Sequence, residues 1–294
     1  MIQSGVINVL KPPGMTSHDV VSFVRRLYGL KRVGHAGTLD PAAAGVLPVF
    51  LGTATRLVEY LADADKSYRV EMTFGLATDT GDDTGQVIDR RPYIPPTAVQ
   101  LQAALLAFIG TSEQIPPMYS AIKIDGKKLY ELARAGQIVE RKPRKITIEA
   151  ISLVTATETN IVFDVTCSKG TYIRTLCADI GHILNCLAVM SFLVRMRVGS
   201  FRLEQALTLE EIAANPGQAV QAADTVLTHL PARVLSKQQS QAVKNGQSIS
   251  CGSNGVGLVK MYDWQNNFIG IGREICQVEG QTTLTPVKIL NPDR

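Results

Sequence analysis

The stretch GHAGTLDPAAAGVLP, Gly34–Pro48, sets one carboxylate, Asp40, among glycines, alanines and prolines. Gly37 admits a positive φ or a close backbone approach, and Pro41 biases Asp40 away from the helical region. Asp40 before Pro41 also fits an N-cap with proline at N1, opening a short helix over PAAAG. Ala42, Ala43 and Ala44 leave room beside the acid that a cap does not need. A carboxylate with such room can serve as a nucleophile towards sugars or bases. It would have to be ionised and oriented, and a buried arginine supplies both.

Outward from this loop, strands and helices mix without a strict βαβ alternation. GVINVL reads as a strand stopped by Pro12-Pro13-Gly14, and TSHDVVSFVRRLYG as a helix capped by Thr16 or Ser17 and closed by Gly29. GVLPVFLG and KSYRVEMTFGLAT have strand composition, and TATRLVEYLADA is helical by period. TDTGDDTG is a polar turn, and Thr97–Gly110 reads as a helix with a glycine stop. Asp125-Gly126 marks a hairpin, and KKLYELARAG a short helix. RKITIEAISLV and NIVFDVTCS are strands, GTYIRTLCADIGHIL a helix and LVRMRVGSF a strand. The reading is α+β with a mixed, mostly antiparallel central sheet. Beyond Leu230-Pro231, glycine-spaced β-like runs predict a small β-rich module over 231–294.

The bulk numbers bound the chemistry. The 294 residues suit one large or two unequal domains. The net charge of +4 is compatible with nucleic acid. It is uneven, because Lys123–Lys145 holds eight basic residues and three acids, a local +5. That run suits either phosphate contact or a solvated surface. Five cysteines without framework spacing argue for reduced thiols. No signal peptide or membrane span is read, so a cytoplasmic protein is expected. The run from Asp79, DTGDDTG, fails as a Ca²⁺ loop, with Gly81 at a ligand position and Arg90 where Glu is needed. GSNGVG, Gly252–Gly257, lacks a P-loop lysine and a following helix pattern. His18, His35, His182 and His229 lack zinc spacing. No metal and no cofactor are expected.

GHAGTLDPAAAGVLP resembles the catalytic motif of TruB-type tRNA pseudouridine synthases, which isomerise the T-loop uridine of tRNA. KPPGMTSHDVV, LGTATRLVEYLADADKSYRVEMTFGLATDTGDDTG, IPPMYSAIKIDGKKLYELARAG and CSKGTYIRTLCADIG are similar to further motifs of that family, in order, across most of residues 6–182. The resemblance implies a pseudouridine-synthase fold over 1–230, with a basic RNA-contacting insertion at about 115–146 and a PUA-like RNA-binding module at 231–294. It implies Asp40 as nucleophile, Arg174 as its partner, and Tyr68 stacked on the base near the C5 proton. Tyr172 would line the base pocket, Leu193 would be an apolar wall, His35 would enter the T-loop, and Lys11 would support the pocket. Taken singly, Tyr68 and Leu193 read as core, His35 as an exposed turn residue and Arg174 as a surface ion pair. One departure stands out: Val194 occupies the place of the first arginine of the family's Leu-Arg-Arg run. The implied activity is cofactor-free isomerisation of the T-loop uridine (position 55) by a monomer, with tRNA as the partner and the base flipped out of its stack. A non-catalytic tRNA-binding or folding protein on the same scaffold is the rival class.

Overall fold

The apolar runs flanking the Asp40 loop form the most deeply buried strands of the chain. In the computed structural model, which describes residues 4–252, 255–276 and 282–290, β1 (Gly5–Lys11) pairs antiparallel with β3 (Ala44–Leu51), and β2 (Val33–His35) pairs with the same β3. Both faces of β1 and β3 are covered. Val6, Val46 and Phe50 pack into one apolar cluster, and Ile7, Val9, Leu47 and Val49 into another with Val20 and Val24. Such two-sided burial explains why both strands read as continuous apolar runs. Val20 and Val24 belong to α1 (Ser17–Tyr28). A reciprocal cap between Thr16 and Asp19 opens this helix, and Gly29 at φ 64° closes it.

The sheet continues with β4 (Lys66–Phe74), β5 (Gly110–Gln114), β6 (Arg144–Ala156), β7 (Asn160–Cys167), β8 (Ala188–Val198) and β9 (Phe201–Arg202). Its order is β1-β3-β8-β4-β7-β6-β5, with β9 on β8 and β2 on β3. All pairings are antiparallel except β8 with β3. Tyr68, Val70, Met72 and Phe74 alternate onto the face that packs against α3 (Ile173–Ile183), through Ile173, Leu176, Cys177 and Ile180. Leu101 and Leu105 of α2 (Ala98–Leu106) close the same cluster.

The single parallel seam brings β8 against the base of the Asp40 loop. Val194 faces Ala44 and Arg195 faces Gly45. Gly45 has φ 112°, and a Cβ there would lie inside contact distance of the Arg195 backbone. Gly45→Ala is expected to destabilise the fold by more than about 3 kcal/mol in urea titration, through strain and clash together. Gly14→Ala, at φ 86° with open space around it, should cost only about 1–2 kcal/mol. Equal costs would mean that the seam tolerates the added carbon.

Beyond Pro231 lies a second sheet of β10 (Ala232–Val234), β11 (Ile249–Cys251), β12 (Gly257–Tyr262), β13 (Phe268–Cys276) and β14 (Thr282–Ile289), in the order β10-β12-β13-β14-β11. It carries a helix, Lys237–Lys244, not read from the sequence. Parts of the module expected over 231–294, among them Gly280 and two residues of GSNGVG, lie outside the described residues. The second sheet is not isolated from the first. Ile271 and Leu290 share an apolar cluster with Phe50, Leu57, Val226 and Leu227. Lys288 meets Glu59, and the Tyr262 hydroxyl donates to Asp224.

Two local expectations fail. The helix expected over Thr97–Gly110 stops at Leu106, and Gly110 opens the edge strand β5, whose polar sequence GTSEQ carries no apolar alternation. The helix over PAAAG is absent. The Ala43 amide donates to the Asp40 carbonyl at 3.1 Å, a single turn, and Ala44 already belongs to β3. Tertiary contacts win here, because Lys11 and the Gly14 amide occupy carbonyls that such a helix would use.

Candidate active site

Three side chains from outside the loop hold Asp40 in place. Lys11, at the end of β1 and fully buried, donates to the carbonyls of Pro12 (2.8 Å), Pro41 (3.2 Å) and Ala43 (2.6 Å). Ser17, the first residue of α1, accepts from the Leu39 amide at 2.9 Å and donates to the Leu39 carbonyl at 3.0 Å. From the other side Arg195 donates to Val46 (2.8 Å), Gly37 (3.1 Å) and Thr38 (3.5 Å) carbonyls. Burial pulls the Lys11 ammonium down to about 8, against the opposing charge of Asp40. Burial also pulls Lys66 down to about 8, with Arg195 acting in the same direction. Lys66 donates to Ala62 and Ala64 carbonyls at 2.9 and 2.6 Å.

Asp40 itself stays accessible, with 43% of its side chain exposed, while its partner does not. Arg174, the second residue of α3, is 9% exposed and places Nε 3.3 Å from Asp40 Oδ2. Its Nη1 lies 3.6 Å from Asp82 Oδ2 and donates to the Thr80 carbonyl at 2.9 Å, and Nη2 donates to the Tyr119 carbonyl at 2.7 Å. The surface ion pair that Arg174 suggests when read alone is thus a buried bridge between two carboxylates. Asp82 is held in turn. Its Oδ1 accepts from Thr80 Oγ1 (2.7 Å), Thr84 Oγ1 (2.6 Å) and the Thr84 amide (3.2 Å).

Apolar walls complete the site. Tyr68, Leu193, Leu39, Ala43 and Ile173 belong to one buried cluster. Tyr68 faces Arg195 across the β4–β8 ladder. Burial pushes the Tyr68 phenol up, and the Arg195 charge opposes this. Tyr172 precedes α3 and is held through its backbone: Gln114 accepts from its amide at 2.8 Å and donates to its carbonyl at 3.1 Å. His35 ends β2 rather than standing in an exposed turn. It is half-buried, its Nδ1 finds no hydrogen-bond partner among the described residues, and burial with the Arg195 charge lowers its pKa. Lys11, Asp40, Tyr68, Arg174 and Leu193 therefore share one centre, and His35 and Tyr172 stand on the elements that frame it.

Arg195, Lys66 and Asp82 are members of this centre that the sequence reading did not select. Arg195 stood two residues after Leu193 on a strand, so it had to share Leu193's inward face. A charge at that register was the available signal. Asp82 lay in a stretch read as a polar turn, set aside as a Ca²⁺ loop and matched to the family only as part of a longer motif.

Comparison with known proteins settles the family. The model for the TruB family pseudouridylate synthase N-terminal domain matches residues 25–173. Those for the tRNA pseudouridylate synthase B C-terminal domain and the pseudouridine synthase II TruB C-terminal region match 174–230 and 231–278. This chain belongs to the TruB family of pseudouridylate synthases. It is an isomerase that converts uridine to pseudouridine in tRNA. The tRNA pseudouridine synthase B of Caldanaerobacter subterraneus subsp. tengcongensis is 48% identical over 274 residues, covering 92% of this chain and 95% of that one. That of Alkaliphilus oremlandii is 49% identical over 248 residues, covering 84% and 83%. Among solved structures, a Cbf5–Nop10–Gar1 complex matches this TruB chain with a TM-score of 0.76 at 27% identity, over 99% of this chain and 86% of the other. An H/ACA RNP bound to a substrate RNA containing 2′-deoxyuridine matches with a TM-score of 0.75 at 25% identity, over 98% and 85%. The TruB fold is thus α+β, with a mixed central sheet and a β-rich C-terminal region. No helix among the described residues is long and apolar enough to cross a membrane.

Proposed function

We propose that this TruB enzyme isomerises the T-loop uridine (position 55) of tRNA, with Asp40 as nucleophile and the target base flipped into the site. The observation that carries this reading is the accessible Asp40 carboxylate beside the buried Arg174 guanidinium. A base stacked inside a folded loop cannot reach Asp40 in place. Flipping costs a few kcal/mol, and stacking on an aromatic ring such as Tyr68 offsets about 1–3 kcal/mol of that. The bond from ribose C1′ to uracil N1 breaks and one to C5 forms. The proton leaves C5, and N1 takes up another. Asp40 attacks either C1′ of the ribose or C6 of the uracil, and both fit an exposed carboxylate anchored from below. Leu193 forms an apolar wall, Tyr172 lines the base pocket, His35 occupies the space opened in the T-loop, and Lys11 fixes the loop that carries Asp40. The enzyme is taken to work as a monomer. Release of tritium from a transcript labelled at uridine C5 tests the reading. Release should occur from a tRNA transcript and cease when the T-loop uridine alone is replaced by cytidine. Undiminished release from the replaced transcript would move the target elsewhere.

We assign residues 1–230 to catalysis and 231–294 to a PUA-like module that adds RNA contacts, with the basic insertion at about 115–146 as a further phosphate surface. Lys123, Lys127, Lys142, Arg144 and Lys145 are exposed, whereas Arg141 donates to the Pro116 carbonyl at 3.2 Å. Replacing Lys127, Lys142, Arg144 and Lys145 by Gln should flatten the dependence of log K on log salt by up to about 0.7–0.9 per lost phosphate contact. An unchanged slope in filter binding would leave the segment a solvated surface.

A further inference from the structure

Arg195 is the largest fully buried side chain among the described residues. Burying a guanidinium is costly unless its donors are used. Its hydrogen-bond partners among the described residues are uncharged, the carbonyls of Gly37, Thr38 and Val46, and the buried Tyr68 stands opposite it on the ladder. The ladders explain the reach. On β8 Arg195 lies opposite Gly45 on one side and Tyr68 on the other, so one side chain spans the gap from the Asp40 loop to β4. Fixing the loop accounts for the three carbonyl contacts and leaves the placement opposite Tyr68 unexplained. A guanidinium only donates. Where the Tyr68 oxygen meets it, that oxygen must accept, which directs the phenolic proton elsewhere and favours its loss.

We propose that Arg195 is a positioning residue for the isomerisation, holding the Tyr68 oxygen ready to accept the C5 proton while its remaining N–H groups fix the loop of Asp40. This rests on the reading of Asp40 and Tyr68 given above. In the step concerned, the C5–H bond breaks and its proton joins the Tyr68 phenolate oxygen. The released electron pair restores the C5–C6 double bond, and N1, freed from the ribose, takes a proton from water. Tyr68 then returns its proton to solvent, and no oxidant or reductant is needed. The groups acting on Tyr68 come from three elements: Arg195 on β8, Cys167 on β7 and Asp40 in the loop. Burial, Cys167 and Asp40 all disfavour the phenolate, and Arg195 opposes them by its charge.

The test is the pH dependence of single-turnover isomerisation in the full chain, comparing wild type with Arg195→Met and Arg195→Lys. Arg195→Met should be slower by about tenfold or more at pH 7, and the deficit should shrink as rising pH ionises Tyr68 without help. Arg195→Lys, which keeps the charge, should lose less and retain the wild-type profile. In a Tyr68→Phe background, Arg195→Met should have no pH-dependent effect. A deficit in Arg195→Met that is constant with pH, or unchanged by Tyr68→Phe, would reduce Arg195 to a structural clamp. If circular dichroism shows Arg195→Met unfolded, Arg195→Gln, uncharged but still a donor, takes its place with the same two outcomes. A wild type that leaves tRNA uridine unchanged would overturn the reading of the site itself. An active wild type with parallel profiles would overturn the role of Arg195 alone.

Discussion

Asp40→Asn is expected to abolish turnover, with single-turnover rates falling by on the order of 10⁴ or more, while tRNA affinity stays within a few-fold of wild type. The amide keeps the size of the side chain but offers no anionic oxygen to attack carbon. The loop should keep its shape, because Lys11, Ser17 and Arg195 hold it through the backbone carbonyls and amides of its other residues rather than through the Asp40 carboxylate. Single-turnover assays run beside filter binding separate the two quantities. Turnover retained in the Asn variant would remove Asp40 from the chemistry. Binding lost in parallel would make its role one of affinity.

Arg174→Met is expected to fail in both stability and rate. The guanidinium lies against Asp40 and Asp82 and donates to the carbonyls of Thr80 and Tyr119. Removing it leaves Asp82, only 11% exposed, without its cation. Breaking a buried pair in this way costs about 3–5 kcal/mol, and Asp40 loses the group that orients it. Arg174→Lys should not restore function. One ammonium cannot span two carboxylates and two carbonyls arranged around a planar fork, so a rate loss of about 100-fold or more should persist. Urea titration reads the first effect and single-turnover isomerisation the second. A Lys variant near wild type in both would mean that charge alone suffices at this position.

Much of this architecture was legible where burial and local pattern agree. The caps at Thr16 and Gly29, the Asp125-Gly126 turn and the two-sided burial of β1 and β3 all leave local marks in composition. The loop around Asp40 did not. Asp-Pro-Ala-Ala-Ala has the composition of a capped helix, yet the carbonyls of Pro41 and Ala43 are taken by Lys11, thirty residues or more away in sequence. Long-range partners of that kind override local preference and leave no trace in the segment they control. The same holds for Arg195. Its contacts lie about 150 residues upstream, and only the strand's two-residue period hinted that it points inward. The edge strand β5 was hidden for the opposite reason, since its mostly exposed GTSEQ has no buried face to set an alternation. The second sheet could be read as a β-rich tail, but not its seating through Ile271 and Leu290 on the cluster of Phe50 and Leu57. A cut near Leu230 would therefore uncover apolar surface.

The central claim is that Asp40 converts one particular uridine. It is tested most directly by incubating an unmodified tRNA transcript with wild-type enzyme and with Asp40→Asn, at enzyme concentrations that bind all of the RNA, and mapping pseudouridine at every position. The account predicts new pseudouridine at the T-loop uridine with wild type and none anywhere with Asp40→Asn. Pseudouridine formed by the Asn variant, or formed by wild type elsewhere while the T-loop uridine is left unchanged, would contradict it.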